Sequence, residues 1–129
     1  MKCLKELAWL MTNGEILQYN EEGKTMFKRI GVKAMKELAV ALELKEYNVS
    51  FNPGGIAVSG DLLLMGMWTE NLGVYISMNK DFPNAPWGQI LYRTIKHMKD
   101  YTGGSNNWLK FELLAKPDEL KDTIMRLKN

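Results

Sequence analysis

The segment Tyr47-Asn48-Val49-Ser50-Phe51-Asn52 alternates large apolar side chains with small polar ones. A period of two puts the two sets on opposite faces of an extended chain, so the segment predicts a half-buried β-strand. Downstream, the apolar run Leu62 to Trp68 and the stretch Gly73-Val74-Tyr75-Ile76-Ser77-Met78 predict two more strands, and Ile56-Ala57-Val58 a short extended run. Pro53-Gly54-Gly55, Ser59-Gly60-Asp61 and Thr69-Glu70-Asn71 punctuate them as turns. Short strands joined by short turns favour antiparallel pairing. Pro83 and Pro86 make Asp81 to Gly88 a loop. Residues 89–98 suit either a helix or a strand, and continuation of the meander from Met78 favours strand. Trp108 to Leu114 reads as a short extended stretch.

The period changes on either side of this region. Leu4, Leu7, Ala8 and Met11 recur at helical spacing, with Asn13-Gly14 as a stop. Glu15 to Tyr19 predicts a short strand and Asn20-Glu21-Glu22-Gly23 a turn. Met26, Phe27, Ile30, Ala34, Met35, Leu38, Ala41 and Leu42 form an amphipathic stripe. Gly31 weakens its middle, so a break there into two pieces is open, with a helix expected from Val32 to Leu44. Near the end, Pro117 with Asp118 and Glu119 marks a helix start, and Leu120, Ile124 and Leu127 give one apolar face. The expected fold is α+β: an antiparallel β-meander of about four strands, packed by N-terminal helices and a C-terminal helix. One domain is expected over 1–129, with 1–44 mainly helical, 46–114 sheet and loops, and 117–128 helical.

Composition narrows the chemistry. The chain has 129 residues, 46% hydrophobic and 25% charged, which is ordinary for a globular domain. The net charge of +2 is too small to announce a nucleic-acid binder by itself. Cys3 is the single cysteine, so an internal disulfide and a multi-cysteine metal site are both excluded. The N-terminus has no long apolar core, and no run approaches the ~20 apolar residues of a membrane span. The expected location is the cytoplasm, with no membrane partner, cofactor or metal.

Catalytic signals are sparse. His97 is the lone histidine, with the cationic Lys96 and Lys99 as neighbours, and reads as a solvated surface residue. Asp61, Asp81 and Asp100 are the loop carboxylates that could pair for acid–base chemistry, but a turn role explains Asp61, and a salt bridge or loop hydrogen bond explains Asp100. No catalytic residue is assigned, and a small enzyme using Asp100 or His97 is kept as the last of three readings.

The loop Lys99-Asp100-Tyr101-Thr102-Gly103-Gly104-Ser105-Asn106-Asn107-Trp108 is the most site-like segment. Gly103 and Gly104 allow close backbone approach. Asn106 and Asn107 offer donors and acceptors, while Tyr101 and Trp108 offer flat faces for stacking. Arg93, Lys96 and Lys99 add positive charge beside it. The set suits a phosphate, a nucleotide or single-stranded nucleic acid. The bland reading is a loop folded on its own asparagine hydrogen bonds, with Trp108 plugging the core.

The segments Phe51 to Asp61, Val74-Tyr75-Ile76-Ser77, Ile90-Leu91-Tyr92-Arg93-Thr94 and Lys99 to Trp108 together resemble a group of small uncharacterised proteins of bacteriophages and mobile elements. The resemblance covers residues 24–108 or so, and the proline-containing segment 81–88 departs from the pattern. It implies strand for residues 89–95. It also implies an accessory or host-takeover factor, non-enzymatic, of the kind that inhibits bacterial defence systems, including the anti-CRISPR type. The partner would be a host protein or protein–nucleic acid complex in the host cytoplasm, with nucleic acid as the alternative and a homodimer also compatible. The same pattern joins Asn52, Gly54 and Gly55 to the loop residues, on the expectation that the two segments meet at one end of the sheet.

Overall fold

The computed structural model describes residues 1–12, 21–52, 61–79, 89–101 and 103–129. The expected stop at Asn13-Gly14, the strand Glu15 to Tyr19, the turn residue Asn20, the 53–60 turns and run, the 81–88 loop and Thr102 lie outside them.

Helix α1 spans Lys2–Thr12 and buries Leu4, Leu7, Ala8, Leu10 and Met11. Its first backbone N–H groups have no intrahelical acceptor. Those of Cys3 and Leu4 donate to the Glu37 carboxylate at 3.1 and 3.0 Å. Glu37 belongs to helix α2, Glu21–Ala41. Two expectations are corrected here. Residues 21–23 are helical rather than a turn, and α2 runs through Gly31 without the break that the glycine left open. Packing explains the glycine: a Cβ at 31 would lie 2.7 Å from Leu62 Cδ2, so its absence lets the helix sit close to the sheet. The helix also ends at Ala41, not Leu44. The Leu44 N–H reaches back to the Ala39 carbonyl and the Glu43 N–H to that of Val40. This is a Schellman closure with Glu43 in the left-handed region, φ 60°. Glutamate there carries no glycine signal.

The sheet follows as β1 (Glu46–Asn52), β2 (Asp61–Met67), β3 (Gly73–Asn79), β4 (Ile90–Ile95) and β5 (Asn107–Leu109). Neighbours in sequence are neighbours in the sheet, and all pairs are antiparallel. The fold is thus the expected α+β meander, with five strands among the described residues where about four were expected, and residues 90–95 are strand. The predicted extended stretch Trp108 to Leu114 divides: β5 stops at Leu109 and Phe111–Ala115 forms a 3-10 turn that packs beside α1. Helix α3, Pro117–Met125, starts on its proline with Asp118 and Glu119 in the first turn.

The two faces of the sheet differ. Leu62 and Leu64 of β2, Val74, Ile76 and Met78 of β3, and Ile90 and Tyr92 of β4 join the main core with Leu4, Leu7, Phe27, Leu38 and Ile124 of the helices. Phe27 and Phe51 meet edge to face at 5.5 Å. The Trp68 indole N–H donates to the Leu42 carbonyl at 2.7 Å and ties the end of β2 to the end of α2. The intervening strand residues point the other way. There Met65, Met67 and Ile95 form a second, smaller cluster with Leu63, Tyr75 and Met98 against it.

Candidate functional site

The loop after β4 is built around two buried charged residues, Arg93 at 5% exposure and Asp100 at 8%. Register places Arg93 directly opposite Tyr75 on β3. The guanidinium carbon lies 4.2 Å from the Tyr75 ring centroid, a cation–π contact. Its nitrogens donate to the backbone carbonyls of Gly103 and, at 3.1 Å, Asp100. The Asp100 carboxylate in turn accepts the Lys96 N–H at 3.0 Å and the Gly103 N–H at 2.7 Å. Arginine and aspartate thus close the loop from both sides. An ionised partner makes such hydrogen bonds stronger than neutral ones.

The remaining loop residues complete this closure. Gly104 has φ +73°, and a Cβ there would stand 2.6 Å from the Thr94 carbonyl oxygen, so glycine is required twice over. The Asn107 amide donates to the carbonyls of Ser105 at 3.0 Å and Tyr92 at 3.3 Å. Met98 packs on the Met65, Met67 and Ile95 cluster. The loop therefore folds over the outer sheet face and fastens there.

Of the residues singled out by sequence, Arg93, Asp100, Gly103, Gly104 and Asn107 are brought together, in contacts the loop makes with itself. Trp108 is half-buried opposite Leu91, on the outer face rather than plugging the helix-side core. Lys96, Lys99, Tyr101 and Asn106 stay exposed, Tyr101 at 64%. His97 is exposed as well. Asn52 is not part of this group. It pairs with Asp61, which pairs with Asn79, at one end of the sheet. The loop leaves from Ile95, at the end shared by Glu46, Met67 and Gly73. The two ends are ~20 Å apart at the usual rise per strand residue. Phe51, Asn52 and Asp61 thus lie at the end opposite the one from which the loop leaves β4, whereas Gly54 and Gly55 lie outside the described residues. Asp61 and Asp100 are likewise at opposite ends, so they form no carboxylate pair.

The sequence reading missed a different surface. Trp9 of α1 is 56% exposed. An open groove of about 550 Å³ lies on one side of it, lined by Met1, Lys2, Lys5 and Glu6. A second of about 400 Å³ lies towards Glu112 and Ala115 of the 3-10 turn. The signal was present in the pattern: Trp9 falls on the polar side of the stripe Leu4, Leu7, Ala8 and Met11. On the same helix, Cys3 is half-buried. Desolvation and the neighbouring Glu37 carboxylate push its thiol pKa up.

Among the described residues, no group of three or more His, Cys, Asp or Glu is placed to hold a metal ion, and no helix is long and apolar enough to cross a membrane. No protein-family model matches the chain, and comparison with curated proteins and with solved structures finds no similar one.

Proposed function

We propose that the protein is an accessory factor of a phage or other mobile element that acts by docking on a host protein, a component of a bacterial defence system such as a CRISPR nuclease. The observation that carries the docking is Trp9, a large aromatic side chain standing in solvent between two grooves. Tryptophan dominates binding hot spots, because it buries a large rigid area at little entropic cost. The sequence resemblance supplies the biological setting. The test uses a panel of purified defence nucleases. One of them forms a stable complex with the protein and loses activity, and Trp9→Ala weakens the complex at least tenfold while leaving thermal stability unchanged. Absence of binding and inhibition across the panel contradicts the reading.

A second reading rests on Tyr101, exposed beside Lys99 and near Lys96. An aromatic face with flanking cations suits stacking on single-stranded nucleic acid. Oligonucleotide affinity would then fall steeply with salt and drop in Tyr101→Ala. No shift of any oligonucleotide at low salt contradicts it.

A further inference from the structure

Among the described residues, the sheet ends in two unlike edges. β5 has three residues and passes through Lys110 into the 3-10 turn. Short length and lysine are common guards against edge-to-edge pairing. β1 has seven residues, Glu46–Asn52, with Lys45 and Pro53 at its two ends and neither proline nor lysine within it. Among the described residues it pairs only with β2. Tyr47, Asn48 and Ser50 are exposed, Tyr47 at 40% although it lies on the helix-covered side.

We infer that β1 pairs antiparallel with β1 of a second copy of this chain, about a two-fold axis at Val49. That register uses the whole strand and suits itself at every position. Tyr47 falls opposite Phe51 of the other copy, an aromatic cross-strand pair on the helix side. Asn48 falls opposite Ser50, a neutral polar pair on the outer side. Glu46 falls opposite Asn52, so no like charges meet. A slip of one residue would bring helix-side residues opposite outer-side ones, so the pattern fixes the pairing. The product is a continuous ten-stranded sheet with the helices of both copies on one face, and the long edge is consumed. The surface is separate from Trp9, so this pairing and the docking reading stand or fall independently.

Light scattering on the full chain across a concentration series tests it. The protein shows twice the mass of one chain, and the dimer dissociates on dilution. Asn48→Lys with Ser50→Lys sets lysines against lysines and gives a monomer at every concentration, with the melting temperature of the wild type diluted to single chains. Asn48→Lys with Ser50→Glu pairs each lysine with a glutamate of the other copy and restores the dimer. A single-chain mass for the wild type at every concentration overturns the proposal, whether or not β1 then accepts a strand from another protein. So does a dimer that both double variants leave intact.

Discussion

Leu64 and Met65 are adjacent in β2 and almost equally inaccessible, yet they point to opposite faces and are covered by different parts of the chain. Leu64 lies in the main core with the helices, whose apolar stripes match the sheet's alternation. Met65 lies in the small cluster on which Met98 of the β4–β5 loop packs. One face is closed by many interchangeable aliphatic contacts. The other depends on a loop held by a few hydrogen bonds of fixed geometry. The difference shows that a glycine- and asparagine-rich loop beside basic residues can be a fastening as readily as a ligand site.

The sharpest way to break the comparison is to wound each face separately. Leu64→Ala should cost about 3 kcal/mol, the usual range for a fully buried leucine being about 2–5. Urea unfolding should show a lower midpoint with the two-state slope retained. Arg93→Ala should cost about 2 kcal/mol, because it removes the charged donor to the Gly103 and Asp100 carbonyls. Arg93→Lys should recover little of it, since one ammonium cannot reproduce the planar fork. Equal recovery by lysine would mean that the clamp is only a charge. The loss in Arg93→Ala should appear first in the outer face, with the helices intact by circular dichroism at temperatures where the loop has opened.

These features were not equally legible in the sequence. Alternation at Tyr47 to Asn52 and the helical stripe from Met26 to Leu42 describe the helix-covered face well, because burial against one partner imposes a period. Gly31 misled, because its cost in an isolated helix is offset by the close approach to Leu62, a tertiary fact. Glu43 hid the helix end, because it adopts a left-handed conformation that glycine usually marks. Arg93, Lys96 and Lys99 read as one basic patch. Strand register splits them, turning Arg93 inward onto Tyr75 and leaving the two lysines in solvent. Nor was the placement of Phe51, Asn52 and Asp61 at the end opposite Ile95 legible, because proximity of motifs says nothing of which end of a meander each strand end occupies.

Glu37 supplies a smaller and pH-dependent test on the helix-covered side. Partial burial alone would raise its pKa, but the N–H groups of Leu4 and Cys3 outweigh that, and the net shift is downwards. The folded state therefore binds this proton less readily than the unfolded chain. The contribution is fully present above the ordinary glutamate pKa and is lost as pH falls through the lowered folded value. Glu37→Gln should cost about 1 kcal/mol at neutral pH. It should flatten part of the decline in stability at acid pH, measured by thermal melts from neutral pH downwards. It should leave the outer face unchanged. An acid limb identical in wild type and variant would show that the cap is not the source.

Amide hydrogen exchange at Lys96 and Gly103 tests the fastening most directly, because both N–H groups donate to the Asp100 carboxylate. The free protein should exchange both slowly, and Arg93→Ala should release both together. Fast exchange in the free protein, with protection gained only when an oligonucleotide or nucleotide is added, would make the loop a ligand site and contradict the account.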